Sequence, residues 1–533
     1  MDSRVPVAAR RSDDPNLAAD TVPPLKLSLL RYSPALVALV IALADAGRFT
    51  DPDLWWHLRS GQEILRLGHP VFHDPYSYSA PGHLWLNHEW LADAVLATFY
   101  NMFGVFGLKL LKLFCTGTTI LMMTAALSET GAASATQLTL LILAAIAIEP
   151  QMQFRPQMFT FALMSAMSAL FARDIYRRGG KLWLAIPILA LWANLHGGFL
   201  MGAVALAIYA GVSGLQDWWD GRGTRRGLAL GAIWVGALAA TLATPYGFGT
   251  WGLLAHALAN PYTRSTLADW KPLLHVLALA GPSPVALMNY AAAIATVFGL
   301  GVVCVLRPAA IDLPLVAIGA VMAVAGYLSV RNLPLAVITA VAPLAYHLSI
   351  GAARRDRFSV HRASSAARPN LSGQAALALL TLYVLFATGF FSRTLYFDEP
   401  YPIGAMAFMD QHHLKGNILC SYGWGGYVIF HAGSASRLFI DPRFDTVYPM
   451  SVISDYLAFH YDQPGATDAL DKYPTDYVLI QPGLPAVGLM NSLARWRLIY
   501  HDRDSLLYAP ANSAASGIPG VPVSGTARAQ DFP

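Results

Sequence analysis

The apolar residues of this chain are gathered into runs of about 15–21 residues that hold almost no charge. A helix of that length covers the roughly 30 Å of hydrocarbon in a bilayer. Lipid offers no partner to unpaired backbone N–H and C=O groups, so helices that pair those groups internally are expected, not open strands. Composition agrees: 55% of the 533 residues are hydrophobic and only 13% are charged, with a mean hydropathy of +0.44, too apolar for a water-soluble globule of this size. The sequence predicts an α-helical polytopic membrane protein with about eleven crossings, near 27–47, 108–127, 133–148, 156–172, 182–195, 199–215, 227–244, 286–306, 311–328, 333–350 and 374–392.

Basic residues report orientation, because cytoplasmic loops are enriched in Lys and Arg. Three clusters stand out: Arg173, Arg177, Arg178 and Lys181; Arg222, Arg225 and Arg226; and Arg354, Arg355, Arg357, Arg362 and Arg368. All three fit one topology, with a disordered cytoplasmic arm over 1–26, a membrane domain over 27–394 and an acidic first extracytoplasmic loop over 49–107. Segment 90–103 is apolar enough to cross, yet its crossing would place the first cluster outside, so it is expected to be re-entrant or interfacial. No small-residue cleavage site follows the first apolar run, so a removed leader is not expected. Beyond 394 the composition becomes that of a soluble domain, with β-type runs at 417–421, 437–440, 477–481 and 497–500 alternating with helical stretches. That alternation predicts an extracytoplasmic α/β domain over 395–510, and the small-residue tail 511–533 reads as disordered. Cys115, Cys304 and Cys420 are too scattered for a disulfide framework or a metal-binding pair. The net charge of +4, without a basic stripe, argues against nucleic acid.

With this topology the unusual polar groups converge on the outer face, which points to one site at the membrane boundary. They include Asp51, Asp53, His57, Asp74, His88, Glu89, Arg155, Gln157, Asn194, His196 and Arg331. Asp51 suits a helix N-cap, with Pro52 at the first helical position, Gly68 past the end and Leu54, Leu58, Ile64 and Leu65 on an apolar face. Asp51 and Asp53 equally suit a general base or the ligands of a divalent cation. Trp55, Trp56 and Trp90 are expected in the interfacial aromatic belt more than as sugar platforms. His196, followed by Gly197 and Gly198, marks either a tight helix turn or a donor beside a ligand. Arg155 and Arg331 could snorkel to headgroups or hold a lipid-linked phosphate.

The many crossings, the acidic loop directly after the first of them and the C-terminal extracytoplasmic domain make the chain resemble the GT-C superfamily of membrane glycosyltransferases. It is most similar to a bacterial branch related to protein O-mannosyltransferases and lipid A aminoarabinose transferases. The Asp51-Pro52 pair, followed by aromatics and Arg59, resembles the acidic segment at the same place in oligosaccharyltransferases. A closer resemblance is to a group of bacterial membrane proteins that share Asp51 to His57, His88 to Leu91, Arg155 to Gln157, His196 to Gly198, Trp424 to Tyr427 and Asp441 to Arg443. That match is more specific but carries little mechanism. The superfamily resemblance implies an enzyme of the bacterial inner membrane that moves a sugar from a polyprenyl-phosphate donor to an extracytoplasmic acceptor: an envelope glycan, lipid or protein. It further implies Asp51 or Asp53 as base or Mg/Mn ligand, Glu89 and Asp74 as supporting acids, His57, His88, Gln157, Asn194 and His196 as substrate contacts, and Arg155 and Arg331 as phosphate holders. The Trp-Trp-His run at 55–57 departs from other branches. A transporter or flippase for a lipid-linked glycan is the first rival, set back because ionisable residues such as Asp45 and Asp312 fall at the ends of crossings. A non-catalytic scaffold of envelope polysaccharide assembly is the second. In the C-terminal domain, Trp424 to Tyr427 and Asp441 to Arg443 are expected to make turns.

Overall fold

A computed structural model describes residues 38–39, 48–49, 51–177, 179, 181–260, 268–279, 283–306, 311–356, 386, 396–397 and 400–518. The expected arm, nearly all of the first and last crossings and the tail beyond 518 lie outside these residues. A short strand β1 (Arg48–Phe49) precedes two helices of the first loop, α1 (Asp53–Leu67) and α2 (Trp90–Phe103). Then come α3 (Val105–Glu129), α4 (Ser134–Ile148), α5 (Gln157–Arg177), α6 (Ala185–Leu195), α7 (Phe199–Trp219) and α8 (Arg225–Ala240). The helical part closes with α9 (Phe248–Ala259), α10 (Leu273–Leu279), α11 (Pro284–Leu306), α12 (Leu313–Leu328) and α13 (Leu333–Asp356).

Each crossing expected within the described residues falls on a helix, and six of these are by themselves long and apolar enough to span a bilayer: Val105–Glu129, Ser134–Gln151, Gln157–Arg177, Phe199–Trp219, Pro284–Leu306 and Val330–Ile350. Leu182–Leu195 and Leu313–Leu328 are apolar but shorter. The helices shuttle between two ends. The turns around Gln151, His196, Asp269 and Arg331 all reach one cavity, whereas Glu129, Arg177 and Asp312 meet at a separate pocket. Helix α2 starts beside the cavity at Glu89 and ends where α3 begins its run toward Glu129. With 14 residues it is shorter than the helices that are long and apolar enough to span a bilayer. Two cations inside the α3 span are buried, Lys109 and Lys112, the latter 5.0 Å from the Phe154 ring.

The C-terminal domain comprises β2 (Tyr396–Phe397), α14 (Ile403–Gln411), β3 (Asn417–Cys420), α15 (Gly425–Ala432), β4 (Arg437–Leu438), α16 (Met450–His460), α17 (Asp468–Asp471), β5 (Tyr477–Ile480), α18 (Pro485–Ser492), β6 (Trp496–His501) and β7 (Leu506–Pro510). Its five-stranded sheet runs β4-β3-β5-β7-β6, with β4, β3 and β5 parallel and β7 antiparallel to both neighbours. Strand β7 was absent from the expected set. The fold also runs past Pro510: the Ala511 N–H donates to the Arg495 carbonyl, and Ala515 is buried.

Three contacts fasten this domain to the first loop. Strand β2 pairs in parallel with β1. Tyr76 and Tyr78 bond the backbone of Leu438, covering the open edge at β4. Arg443 is enclosed, with Nη1 2.7 Å from Asp74, Nη2 2.6 Å from Asp441 and its guanidinium 4.6 Å from the Trp85 ring centroid. The Asp-Pro-Arg segment is thus a buried ion-pair latch as well as a bend. The Trp424-Gly-Gly-Tyr427 segment opens α15, and a Cβ at Gly426 would lie 2.8 Å from the Pro52 carbonyl oxygen. Only glycine lets α15 approach α1 so closely.

Arg443→Ala leaves two buried carboxylates without their cation, and is expected to destabilise the protein by about 3–5 kcal/mol. Thermal unfolding of the purified protein measures this, and an unchanged midpoint would contradict the latch.

Candidate functional site

Helix α1 begins directly after Asp51-Pro52. Asp51 Oδ1 accepts the Asp53 N–H at 2.9 Å, which satisfies one open backbone donor of the first turn, and Gly68 ends the helix at φ 77°. Leu54, Leu58 and Ile64 are buried as expected, while Leu65 stays exposed. Trp55 and Trp56 are buried too, so neither belongs to a lipid-facing belt. The C-terminal domain covers this helix: Trp55 packs against Tyr427 and Tyr401, and Trp56 lies on the His57 ring at 3.7 Å. Trp90 donates its indole N–H to Asn194 at 3.0 Å.

The N-terminus of α1 opens onto a cavity of about 500 Å³. Of the residues singled out from sequence, Asp51, Asp53, His57, His88, Glu89, Arg155, Gln157, His196 and Arg331 line it. Asp74 and Asn194 do not. Asp74 is half of the Arg443 latch, and Asn194 ties Trp90 to the Ala190 and Ala243 carbonyls. The C-terminal domain supplies Tyr422 and the 442–446 segment from the loops after β3 and β4, the strand ends where open α/β sheets place ligands.

Arg155 lies between two carboxylates, with Nη1 2.7 Å from Asp51 Oδ2 and Nη2 2.6 Å from Asp269 Oδ2. Asp53 sits beside this pair and receives the Trp56 indole N–H at 3.3 Å. Burial first, then repulsion from Asp51, raises its pKa from 3.8 to about 7 against the pull of His57 and Arg155. His57 Nδ1 is 2.6 Å from Asp93 Oδ1, and Asn87 holds the other Asp93 oxygen at 2.7 Å. Burial works to lower the His57 pKa, but the charge and hydrogen bond of Asp93, with Glu89 and Asp53 behind it, outweigh burial and raise it. Asp93 was not foreseen. A carboxylate within the otherwise apolar α2 was the available signal, and a Cβ at Gly61 would strike its backbone, so α1 and α2 cross at this point.

His196 is oriented from behind. Its Nδ1 accepts the Gly198 N–H at 2.9 Å and faces the Thr160 hydroxyl at 2.8 Å, which itself accepts the Trp192 indole N–H. The network assigns the ring proton to Nε2, 3.5 Å from Glu89 Oε1. Burial, with Arg331 and His88 adding to it, holds His196 well below the usual histidine range, so it is a neutral donor. The guanidinium of Arg331 lies 4.7 Å from the Trp270 ring centroid; no carboxylate among the described residues forms a close ion pair with it, but Asp269, Glu89 and Asp53 attract it from farther away and Arg155 repels it.

Among the described residues no three His, Cys, Asp or Glu side chains are grouped to hold a metal ion. Both Asp51 oxygens are engaged, by Arg155 and by the Asp53 N–H. In this arrangement the two carboxylates do not fit a Mg or Mn ion, because the Arg155 guanidinium already occupies the anionic corner.

No family model and no curated relative matches the sequence. Solved structures do. The Archaeoglobus fulgidus oligosaccharyltransferase in its apo form is 13% identical and aligns over 85% of this chain and 69% of its own, with a TM-score of 0.52. The Archaeoglobus fulgidus oligosaccharyltransferase AglB in complex with an inhibitory peptide and a dolichol-phosphate aligns at 12% identity over 85% of this chain and 70% of its own, with a TM-score of 0.52. The mycobacterial arabinofuranosyltransferase AftD aligns at 14% identity over 90% of this chain and 40% of its own, with a TM-score of 0.51. The chain has the GT-C fold. That fold places the protein in a membrane, as the apolar helices require.

The raised Asp53 pKa has a consequence for stability. Between 3.8, the ordinary value, and about 7 the folded chain keeps a proton that the unfolded chain has lost, so stability falls as pH rises across that window and levels off above it. Thermal unfolding against pH should show this slope in the wild type and a shallower one in Asp53→Asn. Equal slopes would contradict the assignment. Asp93→Asn should also lower the His57 pKa, read by NMR of labelled histidine.

Proposed function

We propose that this protein transfers a sugar from a polyprenyl-phosphate carrier to an acceptor hydroxyl or amine that enters the cavity from water. Arg331 is the observation that carries the reading: a guanidinium at the head of the Val330–Ile350 span, opening into the cavity, backed by an aromatic ring and, unlike Arg155, without a close ion pair among the described residues, its nearest carboxylates acting only from a distance. Such a group in a low-dielectric site calls for an anion, and Arg matches phosphate oxygens with its planar fork. In this reading the phosphate of a lipid carrier reaches the bundle at the head of that span. The archaeal oligosaccharyltransferase of the same fold binds a dolichol-phosphate, which supports a polyprenyl phosphate here.

In this reading the acceptor oxygen attacks the anomeric carbon, its proton passes to the Asp53 carboxylate, and the bond from that carbon to the phosphate oxygen breaks. The electron pair leaves with the polyprenyl phosphate, whose charge is held by Arg331. Arg155 stays with Asp51 and Asp269, fixing α1 so that Asp53 faces the acceptor. Asp93 holds His57 by Nδ1, leaving Nε2 as a second polar contact for the acceptor. The Asp51–Arg155 pair supplies the ordering that a Mg or Mn ion would otherwise provide, so no step is assigned to a metal. We place the cavity on the extracytoplasmic side of a bacterial inner membrane, with the N-terminus cytoplasmic, because the Arg173–Lys181 and Arg222–Arg226 clusters lie on the connections at the other end of the helices. The acceptor is an envelope glycan, lipid or protein.

The test is transfer of radiolabelled sugar from a panel of polyprenyl-phosphate donors by purified protein. Asp53→Asn should lower kcat by about 10²–10⁴-fold, and Arg331→Ala should lower it by about 10²–10³-fold, with folding intact in both. In the wild type the rate should rise with pH through about 7 as Asp53 ionises. Absence of transfer from every donor would reject the enzyme reading in favour of a lipid-glycan transporter or a scaffold.

A further inference from the structure

Two segments singled out in the sequence, His88 to Leu91 and His196 to Gly198, meet on one wall of the cavity and take no part in the reaction as written above. Glu89 stands at the start of α2, and His196 in the turn between α6 and α7. The two glycines make room for the meeting: a Cβ at Gly197 would lie 3.3 Å from His88 Nε2, and one at Gly198 would lie 2.5 Å from the Thr160 Oγ1 that orients His196. His196 is held by one edge of its ring. Its Nδ1 takes the Gly198 N–H and faces the Thr160 hydroxyl, which leaves Nε2 as an N–H donor on the other edge.

Glu89 Oε1 lies 3.5 Å from that Nε2 and 3.9 Å from His88 Nε2, both beyond the usual reach of an N–H···O bond. The Glu89 and His196 side chains keep 14% and 11% of their surface open, and neither the Glu89 oxygens nor His196 Nε2 are enclosed atoms. The wall therefore presents an anionic acceptor and a neutral donor side by side, neither satisfied by the other.

Hydrogen-bonding capacity narrows the occupant. An ammonium group would suit Glu89 but has no lone pair for His196. A carboxylate or phosphate would take the His196 N–H but sets a second negative charge against Glu89. A hydroxyl both donates and accepts, and hydroxyls on neighbouring ring carbons present their oxygens at a spacing close to that between Glu89 and His196. Position agrees with this. The Arg331 charge acts on both groups, attracting Glu89 and, after burial, leading the charges that keep His196 neutral. A phosphate at Arg331 and a hydroxyl pair at Glu89 and His196 can therefore belong to one ligand.

We propose that Glu89 and His196 form the subsite that recognises two adjacent hydroxyls of the donor sugar, Glu89 accepting from one and His196 donating to the other. This rests on the glycosyl-transfer reading above and adds to it the feature of the sugar that is read. Thr160 and Gly198 are positioning residues, because they act through the His196 ring.

The experiment measures equilibrium binding to the full chain in lipid nanodiscs with no acceptor present. The probes are polyprenyl phosphate alone, the same lipid carrying a hexose, and a set of hexose-linked lipids that each lack one ring hydroxyl. Two deoxy probes, missing neighbouring hydroxyls, should bind more weakly than the hexose: by about tenfold or more for the hydroxyl on the charged carboxylate, and by about three- to tenfold for the one on the neutral imidazole. Glu89→Ala should abolish the first difference and His196→Ala the second, because removing both partners of one bond costs no more than removing either. A merely structural role for these residues would leave the deoxy differences as they are in the wild type, and that result would overturn the subsite. So would equal binding of the hexose and every deoxy lipid by the wild type, a comparison that needs no variant to fold. In either case, weaker binding of the bare lipid by Arg331→Ala would keep the glycosyl-transfer reading. Failure of every probe to bind the wild type would overturn both.

Discussion

A guanidinium cannot shed its charge, so burying one calls for anions or other acceptors around it, and Arg155 is the point where that constraint organises the molecule. Its two partners come from distant parts of the chain, Asp51 at the head of the first-loop helix and Asp269 in the turn before α10. Arg155 itself lies in the turn between α4 and α5. One side chain therefore draws three connections of a helical bundle to a single place and leaves a cavity between them. Asp53, two residues from Asp51, owes its displaced titration to the same crowding, with burial and the Asp51 charge on one side and Arg155 on the other.

The C-terminal domain is built into this arrangement. Arg443 repeats the logic of Arg155 in a fully enclosed form, joining Asp441 of the domain to Asp74 of the first loop. The same loop pairs with β4, and α15 leans on the start of α1 through Gly426. Because the loops that follow β3 and β4 reach into the cavity, the latch and the site share residues: Arg443 is both. The fold thus places one face of a soluble α/β domain over the end of a membrane bundle, and the cavity lies where the two meet.

The bundle was legible in the sequence because lipid imposes a simple rule, long uncharged runs, and because basic connections alternate with polar ones. Most of the cavity residues were legible for the same reason: Asp51, His57, Glu89, Arg155, His196 and Arg331 stand out at the ends of apolar runs. What was not legible depended on contacts between distant segments. Trp55 read as a belt residue because nothing local reveals that a domain more than 300 residues later in the chain covers it, and Trp56 because its contact with Trp85 depends on the first loop folding back. Asp74 read as a site acid because its partner, Arg443, is 369 residues away. Asp93 was hidden by the apolar residues around it, although a lone carboxylate in such a helix is itself a signal. Strand β7 was missed because its pairing with β5 and β6, not its own pattern, makes it a strand.

Whether the cavity receives a lipid-linked phosphate at Arg331 can be read from a structure of the protein determined in nanodiscs with an added polyprenyl phosphate. Density for the phosphate is expected in contact with the Arg331 guanidinium, with the prenyl chain running from it along the helices into lipid. Phosphate density elsewhere, with Arg331 still against Trp270, would contradict a phosphate-holding role for that guanidinium.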